Sequence, residues 1–279
     1  MRVASIHTYP VKGGRRLDHD AAPVEPWGLA GDRRWMVVGP DLVALTQRQL
    51  PGLALLRPAP YPGRSRPGAA GGISLRAPGR TALDVPEPTT GDRLAVRVFT
   101  HQPPVPVRVA GPDADAWLSD LLHRPVRLVW LDEPTAARQV NQEYGSPDDR
   151  VSLADGYPLL LANADSLADL NTGLAGAAEE PVPMTRFRPN LVVDGAGPWA
   201  EDSWLGGRLR VGPVTFRVVK PCVRCVVTTV DQETGVKGQQ PLRVLADRRR
   251  VGQDLLFGVH LIPDVTGTVR CGDPVGPLT

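Results

Sequence analysis

The sequence has few cysteines and few large aromatic residues. Among 279 residues there are three cysteines, four phenylalanines and four tyrosines. An odd and small number of cysteines argues against a framework of disulfide bonds, and it is typical of proteins in a reducing compartment. The charges nearly balance, since 32 basic residues against 30 acidic residues leave a net charge of +2. This balance provides no broad positive surface for nucleic acid, so neither DNA nor RNA is expected as a partner.

Several patterns that would indicate a function are also missing. No apolar run reaches the length of a membrane span, and the first residues enter a strand pattern without a signal or transit peptide. We therefore predict a cytoplasmic protein with no membrane partner. The chain lacks Gly-x-Gly-x-x-Gly after a strand and lacks Gly-x-x-x-x-Gly-Lys-Ser/Thr. Neither a Rossmann nor a P-loop nucleotide site is therefore indicated.

Proline and glycine, by contrast, are abundant, with 30 and 29 residues, and the apolar content of 42% is sufficient for a packed core. Short apolar runs between these residues predict many short strands. Helical spacing predicts only three or four short helices, among them Ala116–His123, Ser166–Asn171 and Pro241–Arg250. Strands at short spacing favour barrels or sandwiches. The predicted fold class is mainly β with short helices (α+β).

Two polar stretches interrupt this pattern. Residues 132–150 are irregular and poor in apolar side chains, which predicts a linker or an active-site loop. We place the domain boundary there, between residues 1–131 and 132–279. Residues 60–88 are rich in glycine, proline, arginine and alanine. They are interpreted as loops between two short strands, Ile73–Leu75 and Ala82–Val85, or as an exposed insert.

The stretch 220–235 carries the strongest chemical signal. It contains Cys222 and Cys225 with Arg224 between them, and then a β-branched run, 226–230, that predicts a strand. A guanidinium beside a thiolate stabilises the anion. Thiolates are soft ligands that favour soft or redox-active metals. The corner is therefore the candidate reactive centre.

Four interpretations of this corner compete. A structural zinc site needs four ligands, and only Cys271 and five scattered histidines remain to complete it. A thioredoxin-like dithiol normally lies at a helix N-terminus, whereas a strand is predicted here. Two inert core cysteines are the commonest arrangement, but an apolar core rarely accepts Arg224. The fourth interpretation is a single thiolate bound to a metal that an organic cofactor carries, which requires separate groups for the anionic parts of that cofactor.

Cations elsewhere in the chain are candidates for such anion binding. The turn 11–16 places a glycine pair among Lys12, Arg15 and Arg16, and backbone N–H groups at glycine approach an anion closely. The bare sequence favours an ordinary basic hairpin loop at this position. Arg33 and Arg48, taken singly, are typical of surface salt bridges.

The order of motifs along the chain resembles that of the MOSC (molybdenum cofactor sulfurase C-terminal) domain family. It is most similar to the branch that contains the mitochondrial amidoxime-reducing component and its bacterial relatives. The matching stretches extend over nearly the whole chain: 9–12, 32–35, 46–49, 154–158, 166–171, 187–190, 201–204, 220–235 and 272–275.

This resemblance implies an N-terminal MOSC-type β-barrel domain followed by a MOSC β-barrel domain, with a molybdenum cofactor (Mo-molybdopterin) between them. Cys225 is then the molybdenum ligand and the catalytic residue, and Cys222 is a neighbour. Pyridoxal phosphate binding is a further family-level association. The cofactor-binding positions implied by the resemblance are Lys12, Gly13, Arg33, Asp155, Gly156, Tyr157, Arg188, Asn190, Val223, Arg224 and His260. Gly13 departs from the animal proteins, which carry a serine there.

The activity implied by the resemblance is the reduction of N-hydroxylated compounds such as amidoximes, hydroxylamines and N-oxides, with oxygen-atom transfer to molybdenum. No ferredoxin-like domain follows Thr279, so a separate flavin or iron–sulfur reductase is expected to donate electrons. Two alternatives remain open. One is a sulfur carrier or cofactor-handling protein that holds a cysteine persulfide, and the other is a cofactor-binding module without turnover.

Overall fold

The computed structural model describes residues 1–61 and 71–278. These residues contain 21 strands and three α-helices, so the fold is mainly β with short helices, as predicted. The strands are β1 (Arg2–Thr8), β2 (Leu17–His19), β3 (Ala21–Glu25), β4 (Gly28–Leu29), β5 (Trp35–Val38), β6 (Arg57–Pro60), β7 (Gly72–Arg76), β8 (Leu83–Pro86), β9 (Arg93–Val96), β10 (Val105–Val109), β11 (Arg127–Trp130), β12 (Arg138–Gln139), β13 (Arg150–Val151), β14 (Leu159–Asn163), β15 (Leu191–Asp194), β16 (Arg208–Val211), β17 (Val214–Val223), β18 (Arg250–Val251), β19 (Asp254–Val265), β20 (Gly267–Arg270) and β21 (Val275–Leu278).

The three helices lie close to their predicted positions. They are α1 (Pro112–Leu122), α2 (Ala164–Gly176) and α3 (Leu242–Arg248). Helix α1 begins four residues earlier than predicted, because Pro112 is tolerated in the first turn, where its missing N–H has no intrahelical partner. Helix α2 begins after Asn163, whose side-chain oxygen accepts a hydrogen bond from the Asp165 amide at 3.0 Å. Across the described ranges, no α-helix combines the length and apolar composition needed to cross a bilayer.

The largest sheet combines strands from both ends of the chain. Its order is β2-β1-β15-β14-β19-β17-β16-β21, with β18 paired to β19 outside this path. All of these pairs are antiparallel except β14 with β15. Strand β3 pairs with β20, and Val3 and Ile6 share a buried core with Leu161 and Phe216. The first strands therefore pack with the second half of the chain. The division at residue 131 stays a prediction about the sequence.

The remaining strands of the first half form two smaller sheets. Their orders are β5-β11-β10-β9 and β6-β7-β8. Trp35, Leu75 and Leu118 lie in one apolar core between these sheets and α1. The two strands predicted within residues 60–88 are present as β7 and β8, with β8 beginning one residue later than predicted. Residues 62–70 of the predicted loop region lie outside the described residues.

The stretch 132–150 is ordered by packing and is not a plain linker. Strands β12 and β13 pair across it, and Pro134, Ala137 and Val140 are buried. Apolar side chains are few in this stretch, but those present point into cores, which composition alone does not reveal. Arg138 of this stretch donates hydrogen bonds to the carbonyls of Ser152 and Ala154, so the stretch packs against the loop that follows it.

Glu201 is a fully buried carboxyl at the N-terminal end of α2. Its Oε2 accepts hydrogen bonds from Asn163 Nδ2 at 2.9 Å and Ser166 Oγ at 2.8 Å. Its Oε1 has no hydrogen-bond partner among the described residues. Burial raises the pKa of Glu201 above its ordinary value, although the hydrogen bonds from Asn163 and Ser166 oppose the shift.

The free energy of unfolding of Glu201→Gln, relative to that of wild type, should therefore increase as pH rises. Because the pKa is higher in the folded state, the stabilisation from protonated Glu201 is complete below the unfolded-state pKa. It is lost as pH rises through the folded-state pKa. Urea unfolding between pH 4.5 and 8 measures the difference in free energy of unfolding between Glu201→Gln and wild type. The exposed Glu180→Gln is the control, and a pH-independent difference at Glu201 would contradict the prediction.

Candidate active site

A cavity of about 220 Å³ lies where four turns from distant parts of the chain converge. The four turns carry Lys12, Asp155, Arg188 and Cys225. Every site residue predicted from the sequence lines this cavity: Lys12, Gly13, Arg33, Asp155, Gly156, Tyr157, Arg188, Asn190, Val223, Arg224, Cys225 and His260. Residues as far apart as positions 12 and 260 thus meet in one place.

The cysteine corner begins where β17 ends. The pairing of β17 with β19 shifts register between Val218 and Lys220 and again between Pro221 and Val223. Such bulges bend a strand and redirect its side chains. Cys222 is buried, and Cys225 is partly exposed at the cavity. Both cysteines have free thiols, so the corner is not a disulfide.

The strand predicted at residues 226–230 is wrong. Residues Val226–Thr229 form a single turn of 3-10 helix. The β-branched side chains favour a strand, but two threonine hydroxyls bond back to carbonyls three residues earlier. Thr228 Oγ1 donates to the Cys225 carbonyl at 2.9 Å, and Thr229 Oγ1 donates to the Val226 carbonyl at 2.8 Å. These local bonds compete with a sheet ladder and hold the turn.

Gly258 allows β19 to approach β14 on the opposite side of the cavity. It has a φ of +77°, and a Cβ at this position would lie 2.5 Å from the Leu161 carbonyl oxygen. Only glycine fits such a contact and such a backbone conformation. The close approach carries His260 to the cavity wall, where its ring stacks on Tyr157 at a centroid distance of 4.5 Å.

The Cys222 thiol lies in a positive environment. Arg224 Nη1 lies 2.7 Å from Cys222 Sγ, and Arg224 Nη2 donates to the Phe187 carbonyl at 2.7 Å. Burial alone would raise the pKa of Cys222, but Arg224 and His260 outweigh it and lower the pKa to about 6. Cys222 is therefore largely a thiolate at neutral pH.

Asp155 links a lysine and an arginine beside the cavity. Its Oδ1 accepts a short hydrogen bond from Lys12 Nζ, and its Oδ2 accepts one from Arg48 Nη2 at 2.9 Å. The same Arg48 nitrogen lies 3.6 Å from Cys225 Sγ. Burial favours the neutral carboxyl, but Lys12 and Arg48 outweigh it and hold the pKa of Asp155 well below its usual range. Asp155 is therefore ionised throughout the physiological pH range.

Lys12 is buried, with 5% of its surface exposed. Desolvation lowers the pKa of Lys12 to about 8, although Asp155 opposes the shift. Arg138 fixes the loop that presents Asp155, because its Nη2 donates to the carbonyls of Ser152 and Ala154 and its Nη1 donates to that of Asp155. Arg138, in the stretch 132–150, therefore holds in place the loop on which Asp155 meets Lys12.

Arg33 and Arg188 line the cavity together with buried Asn190. Arg33 Nη1 donates to Asn190 Oδ1 at 3.0 Å and also pairs with buried Asp32. Both guanidinium carbons lie near the ring of Tyr9, at 4.3 Å for Arg33 and 4.2 Å for Arg188. Stacking on an aromatic ring orients a guanidinium while leaving its N–H donors available.

Both arginines have backbone conformations that side chains rarely adopt. Arg33 has a φ of +46° and Arg188 a φ of +55°, in the left-handed region. Such conformations cost of order 1–3 kcal/mol and concentrate at binding and catalytic sites. Backbone hydrogen bonds hold Arg33 in place, because its amide donates to the Tyr9 carbonyl at 2.9 Å and its carbonyl accepts from the Leu153 amide at 3.1 Å.

The cavity as a whole carries more positive than negative charge. Among the described residues, five cations line it, Lys12, Arg33, Arg48, Arg188 and Arg224, against one carboxylate, Asp155. Two polar atoms at its wall, Arg224 Nε and His260 Nδ1, are buried without a hydrogen-bond partner among the described residues. Buried polar groups are normally satisfied, so the unpaired Arg224 N–H, the unpaired His260 nitrogen and the excess of cations indicate an anionic, hydrogen-bonding ligand.

Protein side chains alone do not build a closed metal site here. In the described part of the chain, no group of three or more His, Cys, Asp or Glu side chains is placed to hold a metal ion. A structural zinc site with four protein ligands is therefore not formed by these residues. The interpretation that needs one thiolate remains compatible with the cavity.

Sequence reasoning left several lining residues out of the site. Thr46, Gln47 and Arg48 line the cavity, and Arg48 was interpreted as a surface salt-bridge partner. Arg48 does form a salt bridge, but with Asp155 and beside Cys225. The family resemblance could have indicated that these residues belong to the site, because the stretch 46–49 is one of the matching stretches. The bare sequence does not show that this stretch approaches Cys225, about 180 residues away.

Comparison with known proteins agrees with this arrangement. The MOSC N-terminal beta barrel domain matches residues 1–125, and the MOSC domain matches residues 148–276. Human mitochondrial amidoxime-reducing component 1 is 32% identical over 98% of this chain and 82% of the human protein. The mouse protein of the same name is 32% identical over 98% of this chain and 81% of its own length. Zebrafish molybdenum cofactor sulfurase is 30% identical over 93% of this chain and 31% of its own length. The chain therefore belongs to the MOSC domain family, in the branch of the mitochondrial amidoxime-reducing components.

Proposed function

We propose that the protein is a molybdenum-cofactor oxidoreductase that reduces N-hydroxylated compounds with electrons from a separate donor protein. The observation that carries the proposal is the convergence of Lys12, Arg33 and Arg188 on a cavity that also contains the accessible thiol of Cys225. A cofactor with a phosphate and a thiol-seeking metal requires both kinds of group, cations for the phosphate and a thiol for the metal. The names of the most similar relatives support the same activity.

The residues present fit such a cofactor. Arginine presents a planar fork of donors that matches phosphate, and Arg188 has no salt-bridge partner among the described residues. Gly13 has a φ of +82°, so its amide stands in a turn that approaches the cavity without a side chain. Unpaired Arg224 Nε and His260 Nδ1 offer hydrogen bonds to polar ring atoms. Cys225 supplies the single soft ligand.

The molybdenum cofactor, when bound, supplies the oxygen-atom and electron transfer chemistry. The chain supplies the ligand, the orientation and the charge around it. In this proposal Cys225 Sγ ligates the metal, and Arg48 beside it tempers the negative charge of the thiolate. Lys12, Arg33 and Arg188 hold the phosphate end.

Reduction of an N–OH group to N–H consumes two electrons and two protons and releases water. Asp155 is held ionised by two cations, so it acts as a hydrogen-bond acceptor for a substrate N–OH and does not act as an acid. Lys12 Nζ, with a pKa of about 8, holds a proton at neutral pH and lies against Asp155. Asp155 therefore orients the hydroxyl, and the positive charge of Lys12, which also serves the phosphate end, keeps Asp155 ionised.

The test combines metal analysis with turnover. The protein, purified from a host that makes molybdenum cofactor, is expected to contain close to one molybdenum per chain and to reduce benzamidoxime to benzamidine with a chemical or protein electron donor. A metal-free protein from such a host would sink the proposal. A protein that retains molybdenum but turns over no N-hydroxylated compound with any donor would favour the binding module without turnover.

A sulfur-carrier function is the second candidate, and Cys222 is the observation that favours it. A buried thiolate beside Arg224 is a group that accepts and holds a sulfane sulfur. Intact-protein and peptide mass spectrometry distinguishes the two functions. A persulfide on Cys222 or Cys225 in a molybdenum-free protein would favour sulfur transfer, whereas unmodified cysteines with bound molybdenum would favour the reductase.

A further inference from the structure

Two buried glutamines join the halves of the chain at the wall of the cavity. Gln47 and Gln232 are 1% and 4% exposed and lie 185 positions apart in the sequence. Gln47 Nε2 donates to Gln232 Oε1 at 2.9 Å, and Gln232 Nε2 donates to Gln47 Oε1 at 2.8 Å. The remaining N–H groups reach the carbonyls of Gly13, at 2.7 Å, and Val230, at 3.0 Å. We call these two side chains the glutamine clasp.

The clasp also contacts Arg188, which forms no salt bridge with any of the described residues. Arg188 Nη1 donates to Gln232 Oε1 at 3.0 Å, and the ring of Tyr9 lies 4.2 Å from the guanidinium carbon. Desolvation lowers the pKa of Arg188 to about 10, so the side chain remains charged at neutral pH. An ionised group that is this desolvated is normally paired with an opposite charge. Here its side-chain hydrogen-bond partner is a neutral amide.

We infer that the glutamine clasp is a positioning device that fixes Arg188 and the Gly13 turn in register while leaving the positive charge of Arg188 uncompensated for an anionic ligand. The inference rests on the proposed function for the identity of that ligand. A carboxylate in place of Gln232 would hold Arg188 equally well, but it would neutralise the charge. The Gln232 amide holds the guanidinium without neutralising its charge. Its hydrogen-bond partner Gln47 prevents the amide from rotating.

The decisive variant is therefore Gln232→Glu, which keeps the size of the side chain. It adds a negative charge against Arg188 and removes the two N–H donors of the clasp. We expect it to weaken binding of inorganic phosphate to cofactor-free, full-length protein by at least about tenfold, because a charge-assisted contact is replaced by an internal ion pair. Gln232→Leu and Gln47→Leu break the clasp without adding charge, and we expect smaller losses of about threefold. Isothermal titration calorimetry measures the affinities.

Asn171→Leu is the matched control. Its amide makes two hydrogen bonds to Val182, at 3.1 and 2.9 Å, away from the cavity. It should lower the thermal midpoint about as much as Gln232→Leu while leaving phosphate affinity unchanged. This comparison separates positioning from general stability. The molybdenum content of each variant after expression in a cofactor-making host provides a second readout, and we expect it to fall in the same order.

Three outcomes are distinguishable. Weaker phosphate binding by Gln232→Glu than by Gln232→Leu, with Asn171→Leu unaffected, supports the clasp even if wild type proves inactive with every N-hydroxylated compound. Equal affinities for Gln232→Glu and wild type would overturn the clasp and leave the proposed reductase standing. Wild-type protein that binds neither phosphate nor molybdenum would overturn both.

Discussion

Replacement of Cys225 by serine is expected to lower amidoxime reduction by at least about 100-fold, since even groups that only orient a metal ligand contribute 10–100-fold. A hydroxyl is a hard ligand with a high pKa, and it does not replace a thiolate on a soft or redox-active metal. Serine is close to cysteine in size, and Cys225 is partly exposed, so the fold should tolerate the change. Steady-state turnover and molybdenum content, measured on the same preparation, check the prediction.

Cys222→Ser is the matched control because it makes the same chemical change three residues away. The serine hydroxyl still accepts a hydrogen bond from Arg224 Nη1, so the guanidinium that contacts Phe187 keeps its place. Activity should stay within about tenfold of wild type, the usual range for a buried hydrogen-bonding neighbour. If Cys222→Ser abolished molybdenum binding and Cys225→Ser did not, the assignment of the ligand would be reversed.

Much of the site could be predicted because its residues stand at turns that the sequence marks. Gly13, Gly156 and Pro189 interrupt apolar strand patterns, and the cations beside them have no apolar role. The family resemblance then assigned those positions to one ligand. The sequence does not reveal which charges remain uncompensated. That property depends on pairs such as Arg33 with Asp32 and Arg48 with Asp155.

The strand predicted at residues 226–230 was wrong for a local reason, whereas the strand pairings could not be predicted for a long-range reason. Residues 226–230 have strong strand propensity, yet Thr228 and Thr229 bond to carbonyls three residues earlier and close a helical turn. The pairing of β1 with β15 joins positions nearly 190 residues apart, and hydrophobic alternation does not specify a strand's partner. Gln232 lies in the stretch 220–235 that carries the family resemblance, but a glutamine in a polar turn has no evident role in the bare sequence. Only its burial against Gln47 shows its role.

The anion site should also have a pH dependence set by Lys12. Its pKa of about 8 lies below the ordinary value of 10.5, so the lysine loses its positive charge just above neutral pH. Arg188, with a pKa of about 10, is still charged there, and phosphate is already a dianion. Binding of inorganic phosphate to the cofactor-free protein should therefore weaken from about pH 8 upward, by up to about tenfold per pH unit.

Lys12→Met identifies the group responsible, because methionine retains most of the side-chain length without a charge. Its phosphate affinity should be low and nearly constant between pH 7.5 and 9.5, whereas that of wild type falls toward it. The difference in free energy of unfolding between wild type and Lys12→Met is a second, independent test of the lowered pKa of Lys12. Since the folded-state pKa of Lys12 is depressed, the unfolded state binds more protons between about pH 8 and 10.5. The free energy of unfolding of wild type, relative to Lys12→Met, should therefore rise with pH in this range. A wild-type phosphate affinity that stayed constant up to pH 9.5 would show that Lys12 does not contribute its charge to the site.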